Sequence, residues 1–268
     1  MTTSDSAPAT GAPPEMADVL DALEETWTSI QGLLTELEPE EWRLATGCPG
    51  WDVADNVSHL TGFELAVLGV ARPDHELPPD LAHVTDDNKR LTEVDVDYRR
   101  GRTPAELQEE FDAVVAASLA RRRADPTPAD EVRDGPFGWR LPYKRLLEIR
   151  VFDCFAHEQD IRRATGRPGH LEGGATRIAN DMAEQMLPFL LPKRVPALEH
   201  KRVELRLDDR VVTIGGAKGD LPDAVIDLPV DRLVPLMGGR ADAHPERLGI
   251  EGDRALGMDV GHAMGFTP

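Results

Sequence analysis

Cysteine is nearly missing from this chain: its 268 residues include two, Cys48 and Cys154. Two thiols cannot build a disulfide framework, so the fold must rest on its own core, and the chain is long enough to bury one. Aromatic side chains are also scarce, at 5% of residues against 40% hydrophobic ones. That leaves an aliphatic, alanine-rich core, better suited to helices than to a β-sandwich. No apolar run approaches the roughly 20 residues that a membrane span needs. The opening MTTSDSAPATGAPPE has none of the basic-then-apolar layout of a secretory signal, and with so few thiols the expected compartment is the reducing cytoplasm. Basic residues fall short as well, 30 against 49 acidic ones, a net charge of −19 spread along the sequence. This argues against nucleic acid and against an anionic membrane as partners. It does not bear on substrate, because a cleft can be positive on a negative protein.

What is there reads as a series of helices. Residues 1–14 are small, polar and punctuated by proline, the composition of a disordered tail. From Met16, the residues Val19, Leu20, Leu23, Trp27, Ile30, Leu34 and Leu37 keep the three-to-four spacing of an amphipathic helix that stops near Pro39. Gly47-Cys48-Pro49-Gly50-Trp51 is turn chemistry, after which Asp52 caps a second helix running to about Ala71, with His59 in its middle. A Pro- and Asp-rich stretch over 72–102 leads to a third helix, capped by Thr103 with Pro104 at its first position and ending at Arg121-Arg122-Arg123. The loop over 125–142 carries Gly135-Pro136-Phe137-Gly138-Trp139, an apolar tip suited to closing over a cleft. A fourth helix spans about Tyr143 to Ala164 and a fifth Ile178 to Leu190. Beyond them, 203–207 and 210–214 alternate around Asp208-Asp209 as a hairpin, 224–228 reads as a strand, and 230–237 and 254–264 read as short helices. The predicted fold class is α+β: a helical bundle over 15–194 and a small α+β domain over 195–268.

The informative segment is Arg150 to Arg163. On a helix, Arg150, Asp153, His157 and Asp160 share one stripe, beside an apolar stripe of Leu147, Val151, Cys154 and Ile161. Asp153 and His157, one turn apart, can direct a carboxylate oxygen and an imidazole nitrogen at a single ion. A tight site needs a third ligand from another helix, and His59 is the candidate, with Asn56, Gly62 and Phe63 on its face and open space expected beside Gly62. The same spacing also describes a hydrogen-bonded or solvent-facing Asp–His pair. The other histidines, at 75, 83, 170, 200, 244 and 262, fall in apparent loops or termini and read as surface residues. If the three do meet, two imidazoles and one carboxylate leave coordination positions open, the mark of a catalytic site. Asp160 is then either an acceptor that orients one imidazole or a helix-surface acid.

Gly50-Trp51-Asp52-Val53-Ala54-Asp55-Asn56-Val57-Ser58-His59-Leu60, taken with Asp153-Cys154-Phe155-Ala156-His157-Glu158-Gln159-Asp160-Ile161-Arg162, resembles the mycothiol-dependent maleylpyruvate isomerase family, within the wider DinB-like metal-binding helical bundles. The resemblance spans nearly all of 16–268. It implies a DinB-like four-helix bundle followed by a domain resembling sterol carrier proteins. It also implies a divalent cation, zinc in that family, on His59, Asp153 and His157, although the family's isomerase has a glutamate, one methylene longer, where this chain has Asp153. The implied catalytic residues are His59 and Arg240, the latter in Met237-Gly238-Gly239-Arg240. The implied cosubstrate is mycothiol, whose sulfur the cation binds so that the thiolate attacks a small electrophile, which is then isomerised about a double bond or keeps the thiol. Neither cysteine suits that role: Cys154 points about 100° round the helix from Asp153, and Cys48 lies in a turn. The expected partners are thus a small-molecule thiol and an electrophilic substrate, with the chain a monomer or homodimer.

Two other readings stand beside this one. The ligand set also suits non-haem iron and oxygen chemistry. Alternatively, the chain is a non-catalytic small-molecule-binding protein whose metal site is vestigial.

Overall fold

The computed structural model describes residues 11–135, 138–217 and 221–266. Residues 1–10 of the expected tail, and Pro136 and Phe137 of the expected apolar tip, lie outside the described residues. Among the described residues the class is α+β, with eight α-helices, one two-stranded sheet and one four-stranded sheet. No helix among them is long and apolar enough to cross a membrane.

The helices start and stop where capping chemistry directs. Helix α1 (Ala17–Thr35) buries Val19, Leu20, Leu23, Trp27, Ile30 and Leu34, the stripe its spacing predicts. Helix α2 (Val53–Val67) follows the Pro49-Gly50 turn. Helix α3 (Asp87–Asp97) starts on Asp86, whose side chain accepts from the Lys89 amide. Helix α4 (Pro104–Arg123) has a full capping box between Thr103 and Glu106, with three arginines in its last turn where the dipole favours cations. The expected loop then contains a hairpin, β1 (Val132–Asp134) with β2 (Arg140–Pro142), whose three-residue strands are too short to leave an alternation signal. Helix α5 (Tyr143–Thr165) is followed by α6 (Gly174–Arg194), which begins ahead of its expected start at Ile178 because Gly174, Ala175 and Thr176 are small and buried and carry no apolar period.

The remaining chain forms β3 (Arg202–Arg206), β4 (Val211–Gly215), β5 (Ala224–Asp227), α7 (Val230–Met237), β6 (Gly249–Gly252) and α8 (Arg254–His262). The sheet order is β4-β3-β5-β6, with β3 and β5 parallel and the other pairs antiparallel. Strand β6 has no sequence signal, since Gly249-Ile250-Glu251-Gly252 offers one apolar side chain.

Two compact units result. Of the described residues, one takes in those up to Glu36 together with those of Ala54–Cys154, the other Leu37–Val53 together with those from Phe155 onward. In the first, α1 packs along α4 around Leu23, Trp27, Ile30, Leu107 and Phe111, all essentially sealed from solvent. Each such side chain contributes about 1.5–3 kcal/mol of burial. In the second, α6 and α8 cover the four-stranded sheet, with Leu187, Leu191, Val203, Leu205, Ile226 and Val260 forming the core.

Candidate metal centre

Helix α2 is buried from Val53 to Gly62 and carries an unusual polar load for such a position: Asp55, Asn56, Ser58, His59 and Thr61. Two of these satisfy themselves, Ser58 and Thr61 donating to the Ala54 and Val57 carbonyls one turn back at 2.8 Å each. Gly62 has a packing role rather than leaving the open space expected beside it. A Cβ there would stand 2.5 Å from the Cβ of Asp95, so only glycine allows that approach.

His59 Nε2 stands 3.7 Å from Asp153 Oδ2 on α5. Asp153 in turn accepts from Arg150 Nη1, one turn earlier on the same helix. Arg150 is fully buried, with Nε 2.6 Å from Glu64 Oε1, Nη2 donating to the Leu60 carbonyl at 3.2 Å, and its guanidinium 4.1 Å from the centre of the Phe63 ring. Glu64 is sealed from solvent, accepting from Ser118 and Arg122 as well. Burial alone would raise its carboxyl pKa, but the Arg150 and Arg122 charges outweigh that and hold it below the usual range. The neighbouring Cys154 moves the other way: burial, opposed by Arg150, pushes its thiol up to about 12. It is an inert core residue.

One turn beyond Asp153 lies His157. Its Nδ1 is 3.5 Å from Asp160 Oδ2 and 3.8 Å from Cys48 Sγ, and its ring centre is 5.9 Å from that of Trp51. The turn that brings Cys48 there is set by its own sequence. Trp51 N–H donates to the Cys48 carbonyl at 3.1 Å, with Pro49 and then Gly50 at φ 80° between them, the pattern of a type II turn. Cys48 is therefore more than a turn residue: it is buried and donates its thiol hydrogen to Asp160 at 3.1 Å.

Asp160 is wholly buried, so it is no surface acid. It accepts from Arg240 Nε at 2.8 Å and from Arg163 Nη2 at 2.6 Å. Burial would raise its carboxyl pKa, but Arg240, His157 and Arg163 overcome that and hold it well below the usual carboxylate range. Arg240 reaches it because Gly239, at φ 62°, reverses the chain directly after α7, and the guanidinium is steadied by the Gly238 carbonyl at 2.7 Å. The same segment is fastened to the Cys48 turn. Ala241 N–H donates to the Gly47 carbonyl at 2.9 Å, and a Cβ on Gly47 would meet Asp242 Oδ1 at 2.3 Å.

Three histidines that read as surface residues are partly buried carboxylate partners: His75 on Asp97 at 2.7 Å, His83 on Glu93 at 2.9 Å, and His170 on Glu158 at 2.6 Å. His200, His244 and His262 are exposed as expected.

Among the described residues, two groups of side chains bring potential metal donors within 4.8 Å of one another: His59 with Asp153 and His157, and Cys48 with His157 and Asp160. Charge separates them. Asp160 lies against the guanidiniums of Arg240 and Arg163, a setting hostile to a dication, whereas the guanidinium that meets Asp153, that of Arg150, is shared with Glu64. Donors on one zinc ion at about 2.0–2.2 Å stand roughly 3–4 Å apart, and the His59–Asp153 separation of 3.7 Å fits that range.

The family profile of the mycothiol maleylpyruvate isomerase N-terminal domain matches residues 23–162, a span that includes His59, Asp153, His157 and Asp160. Two solved structures are similar. One is a crystal structure of the mycothiol-dependent maleylpyruvate isomerase, 15% identical, with 90% of this chain and 94% of that chain covered and a TM-score of 0.59. The other is a histidine-to-alanine mutant of that enzyme, with the same identity and coverage and a TM-score of 0.57. At this identity the likeness is one of fold. No curated protein sequence matches the chain.

Proposed function

The chain belongs to the mycothiol maleylpyruvate isomerase family, and on that premise we propose that it is a metal-dependent enzyme that uses mycothiol for isomerisation of, or S-transfer to, a small electrophile. The cation, zinc by preference, is held by His59, Asp153 and His157. The observation that carries this reading is the convergence of those three donor groups within 4.8 Å. Two imidazoles and a carboxylate suit zinc and leave positions open for a further ligand. The cation, when bound, supplies the Lewis acidity that lowers the pKa of a coordinated thiol.

The chain's own side chains do the holding and shielding. Arg150 fixes the direction of the Asp153 side chain, while Glu64 keeps Arg150 in place. Trp51 lies beside the His157 ring and limits its movement. The reacting thiol comes from outside, since Cys154 is sealed in the core and Cys48 is committed to Asp160. We assign the metal to the bundle over 15–194 and treat 195–268 as an appended module that resembles sterol carrier proteins.

The test is conversion of maleylpyruvate, and of a generic electrophile, by protein purified without added metal. A rate that requires both mycothiol and the metal supports the proposal. A rate with no thiol dependence, or one that tracks bound iron and oxygen consumption, overturns it, and the absence of any metal-dependent rate leaves a binding protein.

A further inference from the structure

Resting on the metal reading above, we propose that Asp160 is a positioning residue that fixes His157 with its proton on Nδ1 and its Nε2 lone pair turned to the cation, and that Arg240 acts through Asp160. The ring nitrogen that faces Asp160 is Nδ1, at 3.5 Å. The carboxylate it meets is fully buried and lies against the guanidiniums of Arg240 and Arg163, at 2.8 and 2.6 Å. An ionised carboxylate only accepts hydrogen bonds. It therefore stabilises the tautomer that carries the proton on Nδ1, which leaves Nε2 as the ligating atom.

The donors on Asp160 come from three separate stretches of chain. Cys48 sits in the 47–51 turn, Arg163 on α5 and Arg240 just after α7. Cys48, Arg240 and His157 all address Oδ2, and the imidazole is the most distant of the three. The carboxylate is thus clamped before the imidazole meets it, which is what a positioning group requires.

This gives Arg240 a different task from the one its resemblance implies. It donates Nε to Asp160 and Nη1 to the Gly238 carbonyl, so its influence on the reaction passes through the orientation of His157. Arg240 and Asp160 together tie the segment after α7 to the strength of metal binding.

The test is zinc affinity, read by competition with a chromophoric chelator, for wild type, Asp160→Asn and Arg240→Gln. Removing such an outer partner weakens metal binding by about 10–100-fold. Asp160→Asn should show that loss, and Arg240→Gln a smaller one in the same direction because Arg163 and Cys48 remain. Asp160→Asn with wild-type affinity overturns the inference while leaving the metal reading intact; wild type that binds no zinc removes both. If either variant fails to fold, imidazole nitrogen NMR of the metal-free wild type decides. A proton on His157 Nδ1 supports the assignment, and a proton on Nε2 overturns it.

Discussion

Arg240 donates Nε–H to Asp160 Oδ2 over 2.8 Å although the two are 80 residues apart. The pair is asymmetric, because Asp160 keeps two other donors, Arg163 and Cys48, if Arg240 is lost. Arg240 also donates to the neutral Gly238 carbonyl, which cannot balance its charge. Removing one partner of a buried pair costs about 3–5 kcal/mol when the other is left uncompensated. Asp160→Ala is therefore expected to lower stability by that amount, and Arg240→Ala by less, ~1.5–3 kcal/mol for a lost charged hydrogen bond. Denaturant unfolding checks the order, and a larger loss for Arg240→Ala would contradict it.

Glu64 sets an acid limit. Its pKa is lowered in the fold, so it contributes stability that is complete above the unfolded value of ~4.3 and is lost as pH falls through the folded value. Glu64→Gln should lower stability at neutral pH and flatten its decline in acid. Melting temperatures measured from neutrality down into the acid range read both effects, and an unchanged acid slope would contradict the role given to Glu64.

Gly62→Ala has a sign that separates two effects. In an ordinary helix interior alanine is favoured over glycine by roughly 0.5–1 kcal/mol. Here the new Cβ would meet Asp95 Cβ at 2.5 Å, so α2 and α3 must part. Overpacking of this kind costs about 1–3 kcal/mol, and the variant should be destabilised. A gain in stability would show that the approach of α3 to α2 is looser than described.

The elements that carry the candidate ligands are legible in the sequence because each is long and regular. His59 lies within a helix that follows a Pro-Gly turn, and Asp153 and His157 share one face of another at a spacing of one turn. What surrounds them is not legible. Cys48, Asp160 and Arg240 meet across long stretches of chain, and no local period encodes such a contact. The Pro- and Asp-rich stretch before α4 carries no apolar period, yet Glu93 and Asp95 are buried. Arg100 offsets the burial of Glu93 by reaching it at 2.7 Å together with Asp97 at 2.6 Å and Asp55 at 3.2 Å, and Arg72 meets Asp95 at 2.9 Å. Charge pattern alone cannot distinguish acids turned to water from acids gathered round one guanidinium.

The most direct test of the central claim is the zinc content of purified wild type beside His59→Ala, Asp153→Ala and His157→Ala, each confirmed folded by circular dichroism. The account predicts one zinc ion per chain in wild type and background levels in all three variants. Equal metal content across the four proteins would contradict it.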